Sequence, residues 1–179
     1  MKNIKTIMYS IAKRSFDIVF SFIVLILLLP FLCIIAISIK ISSTGPVIYS
    51  WKVVGKNGSY FDSYKFRTMT ADADSIKNNL SDRNEMEGPF FKISNDPRIT
   101  ILGHYLRKYS IDELPQFFSV LQGKMSIVGP RPPLQTEYLE FTDFQKKKMY
   151  VKPGITCLWQ VEGRNEITDA DEWIRKDLE

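Results

Sequence analysis

Asp112 and Glu113 stand side by side in Arg107-Lys108-Tyr109-Ser110-Ile111-Asp112-Glu113-Leu114-Pro115-Gln116, the densest polar site in an otherwise apolar neighbourhood. Adjacent carboxylates with an arginine nearby can divide phosphoryl transfer between them. One attacks phosphorus; the other holds a divalent cation that neutralises the phosphate oxygens. The bland alternative is a capping box, with Ser110 as N-cap and Glu113 three residues later. Pro115 argues against it, because it would then occupy the fifth helical position, where an amide is needed. A start at Asp112 or later puts the proline in the first turn, where no amide is missed. The acids would then sit at a helix N-terminus, which favours their ionised forms by about 0.3–1 kcal/mol. Spacing alone leaves the cap and the catalytic pair both open.

Cations suited to such a pair occur elsewhere. In Gly129-Pro130-Arg131-Pro132-Pro133, prolines on both sides of Arg131 fix the backbone, so its guanidinium is presented with little entropy left to lose. A rigid arginine matches the bidentate geometry of phosphate; the plain alternative is a stiff surface turn. Lys65 and Arg67 alternate around Phe66 and are expected to project from one strand face as added positive charge. Lys152-Pro153-Gly154-Ile155-Thr156 and Gly163-Arg164-Asn165 are further glycine-bearing loops with basic residues. The net charge of +4 and pI near 9.0 suit a partner carrying phosphate, whether lipid head group, nucleotide or nucleic acid. Other chemistries lack support. His104 is the single histidine, and no Walker loop, dinucleotide fingerprint or zinc spacing occurs. Cys33 and Cys157 lie far apart, against a disulfide framework.

These residues need a scaffold. The 179 residues make one domain with a sizeable core. Phe16 to Ile39 is a nearly uncharged apolar run, roughly 36 Å long as a helix, enough to cross a bilayer core. No cleavage site follows it, so it is not read as a signal peptide. A spanning helix, a core helix and a hairpin entering one leaflet compete for it. Apolar character all round disfavours the core helix. Pro30 near its middle removes a backbone hydrogen bond, and positive charge on both flanks (Lys13 and Arg14; Lys40, Lys52 and Lys56) gives no asymmetry to orient a span. Spanning and re-entrant readings stay open on these grounds.

Beyond it, aromatic and β-branched runs around Asn57-Gly58 predict a hairpin. Thr70 with Asp72 and Asp74 predicts a helix start. Residues 81–89 read as a polar loop and 95–98 as a turn. Helical spacing follows from Ile101 to Tyr109, and a second helix is predicted from Pro115 to Leu121. Thr136 to Tyr150 reads as amphipathic, its aromatics set against Lys146-Lys147-Lys148. Such aromatic and basic segments suit either an anionic leaflet or a core with a solvated face. The expected fold is α+β: a small mixed domain of short amphipathic helices and a β-hairpin over 44–179, preceded by a membrane segment over 1–43.

Taken together these motifs resemble the bacterial sugar transferases, the monotopic phosphoglycosyl transferases. The resemblance runs from Lys13-Arg14-Ser15-Phe16-Asp17 to the last residue. It rests on Gly45-Pro46-Val47, Tyr64 to Met69, Asn95 to Arg98, Ser110 to Gln116, Val128 to Pro133, Lys152 to Thr156, Trp159-Gln160-Val161 and Gly163-Arg164-Asn165. It implies a re-entrant helix broken at Pro30, on the bacterial inner membrane, with the catalytic domain on the cytoplasmic face. It also implies a ping-pong reaction. Asp112 attacks the β-phosphate of a UDP-sugar, UMP leaves, and the hexose phosphate passes from Asp112 to undecaprenyl phosphate, the first membrane step of exopolysaccharide, O-antigen or glycan synthesis. Glu113 is then the Mg²⁺ ligand, and Arg107, Arg131 and Lys65 bind phosphate, with Arg164 and Asp177 as further substrate residues. The implied partners are the UDP-sugar, undecaprenyl phosphate and membrane lipid, not nucleic acid; a homodimer is left open.

The chain departs from that pattern in places. The family usually has glutamine and arginine where Trp51 and Val53 stand, and glycine where Cys157 stands. It also usually continues for several tens of residues beyond Glu179, so the C-terminus is expected to be incomplete. The alternative function is a truncated, inactive relative that only binds the membrane.

Overall fold

The computed structural model describes residues 4–85, 91–162 and 170–178. Helix α1 (Ile4–Ser42) leads into a hairpin of β1 (Ile48–Val54) and β2 (Tyr60–Phe66). Then come α2 (Ile101–Lys108), α3 (Gln116–Leu121) and β3 (Ser126–Val128). Helices α4 (Gln135–Leu139) and α5 (Asp143–Lys146) precede β4 (Gly154–Thr156), α6 (Leu158–Glu162) and α7 (Ala170–Leu178). This is the α+β mixture of short helices and small sheets that the sequence predicts.

The hairpin pairs Ile48 with Phe66 through Val54 with Tyr60. It turns through Asn57 (φ 56°) and Gly58 (φ 78°), the left-handed residues an Asn-Gly pair supplies readily. Past β2 the pairing resumes with a new partner. Thr70 donates to the Arg98 carbonyl (2.9 Å) and Thr100 to that of Thr68 (3.0 Å). Helix α2 then lies directly on this crossing. A Cβ at Gly103 would fall 2.0 Å from the Thr68 carbonyl oxygen, so only glycine fits. A second close approach joins β3 to β4, which run parallel. Gly129 and Gly154 meet backbone to backbone, and a Cβ on Gly154 would lie 2.1 Å from the Gly129 nitrogen.

The helix expected from Thr70 does not form. The chain makes turns there and then a 3₁₀ segment over Lys77–Arg83. Its polar side chains compete for the backbone, as where Ser75 Oγ donates to the Asp72 carbonyl at 2.6 Å. Of the predicted polar loop over 81–89, residues 86–89 lie outside the described residues. The amphipathic segment to Tyr150 is three pieces rather than one: α4, α5 and a 3₁₀ turn over Lys147–Tyr150. Thr142 restarts the helix, accepting from the Gln145 amide at 3.3 Å in a capping box.

Helix α1 is one element with Pro30 inside it, so no element boundary falls at Pro30. Much of its length shows apolar side chains outward, with Leu27 72% and Ile34 62% exposed. Among the described residues it is the one helix long and apolar enough to cross a membrane. The predicted division at residues 43 and 44 falls in the loop after it, yet both ends of α1 pack on the rest of the chain. Near its start, Lys13 pairs with Asp17 (2.5 Å), which also accepts from Ser126 Oγ (2.8 Å) and the Ile127 amide (3.2 Å). Arg14 donates to the Val120 (2.6 Å) and Leu121 (2.9 Å) carbonyls at the end of α3. Near its end, Ile35 and Ile39 form a core with Phe66 and Leu106.

Arg67 corrects the expectation that it shares a face with Lys65. Its guanidinium turns back to the end of α1, donating to the Ser43 carbonyl (2.7 Å), Ser43 Oγ (2.9 Å) and the Pro46 carbonyl (2.5 Å). It also donates to the Ile39 carbonyl (3.3 Å), one of the last carbonyls of the helix, which lack internal partners, so one arginine ties the helix end to the loop after it.

Candidate active site

The carboxylate pair sits on a short bridge between two helices. After α2 the chain passes through Ser110 in the left-handed region (φ 55°, ψ 22°). Ile111–Glu113 then forms a single 3₁₀ turn, closed by the Glu113 amide on the Ser110 carbonyl (3.2 Å). The Ser110 side chain caps nothing, so the capping box does not form. Pro115 precedes α3, as its missing amide requires. The two acids therefore precede α3 in their own turn; they do not occupy its first turn, which corrects the dipole argument. Ile111 packs against the Ile39–Phe66–Leu106 core and pins the turn from below. Asp112 is buried, whereas Glu113 is half-buried and opens on a cleft of about 210 Å³ shared with Phe117, Ile155, Thr156 and Gln160.

Two cations, Lys65 and Arg107, come from β2 and α2, the elements packed on this turn, and Arg131 joins them through its effect on Lys65. Lys65 comes from β2, with its ammonium 4.7 Å from the Trp51 ring centre and 5.6 Å from that of Tyr49. Burial, with Arg107 and Arg131 adding, pushes the amine down to about 8, while Asp112 and Glu113 pull it back up. Arg107 comes from α2 and donates through Nε to Thr68 Oγ1 at 2.9 Å. Burial holds its guanidinium below the ordinary arginine value, against the pull of Asp112. Arg131 comes from the proline-rich loop, between Glu137 Oε2 (3.4 Å) and the face of Trp173 (5.8 Å). Lys65, Arg107, Arg131, Asp112 and Glu113 thus share one electrostatic neighbourhood.

Asp177 adjoins the Arg131 side of it through Lys148, on which both the Asp177 and the Arg131 charges act. It pairs inside α7's packing with the buried Lys148 at 2.6 Å. Beside it the Cys157 thiol is pushed up to about 12, by burial first and the Asp177 charge second. Lys148 is 3% exposed, which corrects the reading of Lys146-Lys147-Lys148 as one basic face. Arg164 lies outside the described residues. Thr68, Glu137 and Trp173 position site cations but carry no sequence signal for that role. They are ordinary residue types whose partners are distant in the chain.

Among the described residues no group of three or more His, Cys, Asp or Glu side chains gathers as a metal cluster. Glu113, half-buried and open to the cleft, fits Mg²⁺, which takes one or two protein carboxylates and completes its shell with phosphate and water.

Comparisons with known proteins identify the relatives of this chain. The family model described as bacterial sugar transferase matches residues 8–179. The chain is 48% identical over 169 residues to the galactosyl transferase CpsE of Streptococcus agalactiae serotype III, covering 94% of this chain and 37% of that protein. It is 42% identical to the undecaprenyl-phosphate galactose phosphotransferase of Salmonella typhimurium, covering 87% and 33%. It is 37% identical to the exopolysaccharide production protein ExoY of Sinorhizobium fredii, covering 89% and 73%. The chain thus spans about a third of the length of the first two relatives. With a family match over nearly all its residues, the chain belongs to the bacterial sugar transferase family.

Proposed function

We propose that the chain transfers a sugar-1-phosphate from a UDP-sugar to undecaprenyl phosphate. The observation that carries this reading is the cluster around Lys65, on which Arg107, Arg131, Asp112 and Glu113 all act, with β2 and α2 packed on the Asp112–Glu113 turn. A diphosphate is the ligand whose charge such a cluster offsets.

In the first half-reaction an Asp112 carboxylate oxygen bonds to the β-phosphorus. The bond from that phosphorus to the bridging oxygen breaks, and UMP departs with the electron pair. In the second, an oxygen of undecaprenyl phosphate attacks the phosphosugar and the Asp112 carboxylate is released. Lys65, Arg107 and Arg131 hold the non-bridging oxygens, letting one anion approach another. Glu113 would hold Mg²⁺, which would supply further neutralisation of the diphosphate. Asp177 acts from behind: through Lys148 it fixes α7, and Trp173 on α7 backs Arg131. Arg164 is assigned to phosphate by family resemblance. The relatives named for galactose or glucose transfer support a hexose donor.

Helix α1 is read as re-entrant, bent at Pro30, with the domain on the cytoplasmic face of the inner membrane. Support comes from its two ends, since the Lys13–Asp17 region and Ile35–Ile39 both pack on the same domain. A straight span would carry them to opposite faces.

Protein embedded in lipid and given UDP-sugars, Mg²⁺ and undecaprenyl phosphate should release UMP. Asp112→Asn should lower the rate by about a thousandfold or more. Equal rates from the two proteins would overturn the reading.

A further inference from the structure

We infer that Trp51 is a positioning residue for Lys65, an aromatic cradle that fixes the ammonium for the donor diphosphate without offering a competing negative charge. The inference rests on the proposed donor reading. Tyr49 and Lys65 are directly opposed across the hairpin, so their side chains share a face, and Trp51 lies two residues along the same face. The Tyr49 and Trp51 rings stack at 6.0 Å. The Lys65 ammonium lies nearer Trp51, at 4.7 Å against 5.6 Å for Tyr49.

The choice of partner matters chemically. A carboxylate beside the ammonium would also fix it, but it would repel the incoming phosphates and occupy the ammonium's donors. A ring face attracts the cation through its quadrupole and leaves the N–H groups for an anion. The charged groups that face Lys65 are Arg107, Arg131, Asp112 and Glu113; the two acids are assigned to the reaction itself, and the ring face holds the ammonium without adding a third anion. The lowered value of about 8 for the amine agrees with a crowded, partly dry setting.

The test measures UDP-sugar affinity by calorimetry on the full chain in lipid nanodiscs, in an Asp112→Asn background so that no donor is consumed. Trp51→Leu should weaken binding about fivefold, and Trp51→Phe about twofold, in the order of ring strength. In a Lys65→Met background, Trp51→Leu should change affinity by less than about 1.5-fold, because the group it positions is gone. Thermal melts confirm that each variant folds. Absence of any donor binding before Trp51 is changed would overturn the donor reading itself. Donor binding that Trp51→Leu leaves intact, or weakens equally with and without Lys65, would overturn the positioning role.

Discussion

Two polar clusters lie close together and treat charge in opposite ways. At the Asn95–Arg98 turn, Asp96 and Arg98 meet as a buried pair. Arg98 Nε donates at 2.9 Å and Nη2 at 2.6 Å to the same carboxylate. That bonding drives the Asp96 carboxyl down and the Arg98 guanidinium up, so each partner stabilises the other's charged form. Around the Asp112–Glu113 turn the shifts reverse. Burial lowers both Lys65 and Arg107, despite the nearby carboxylates. The first cluster is complete in itself. The second carries cations whose charge costs free energy until an anion arrives, as a phosphate site requires.

The sharpest way to break this comparison is to remove one side of each cluster. Arg98→Met leaves the Asp96 carboxylate buried without its main partner and should cost about 3 kcal/mol of stability. Urea unfolding measures it, and a loss near zero would show that the pair is not self-contained. Lys65→Met should do the reverse in the ligand-free protein: stability at pH 7 rises, while donor kcat/KM falls about tenfold. The pH dependence has a definite sign. Lys65 is held at about 8 in the fold against an ordinary 10.5, so between those values the unfolded chain binds more protons. Wild-type stability should therefore gain on Lys65→Met as pH rises through that window. Donor affinity should fall over the same rise, because the ammonium is lost. A difference in stability that stays flat from pH 7 to 10.5 would contradict the shift.

The contrast also marks what the sequence made legible. The hairpin and α2 follow from local pattern: Asn57-Gly58 needs left-handed residues, and apolar spacing from Ile101 sets a helix. The turn at 95–98 was equally visible. The argument against a Ser110 cap rested on one residue, Pro115, because a missing amide is a local fact. Direction and burial of charged side chains were not local facts. Arg67 alternates with Lys65 in the sequence, but β2 ends at Phe66, and Arg67 turns to the end of α1. Lys13 and Arg14 read as membrane-flanking charges, yet they close on Asp17, Ser126 and the end of α3. Lys148 looks identical to its two neighbours in sequence, and only the docking of α7 singles it out. The site itself was legible as a set of motifs. What brings Lys65, Arg107 and Arg131 together is long-range: Gly103 against Thr68 and Gly129 against Gly154 set the separations.

The central claim is that this charged cluster serves nucleophilic attack by Asp112. The most direct measurement supplies wild-type protein with UDP-sugar and Mg²⁺ but no lipid acceptor. Predicted are about one equivalent of UMP per protein and a matching sugar-phosphate mass on the peptide containing Asp112. UMP appearing only when undecaprenyl phosphate is added, with the protein mass unchanged, would contradict it.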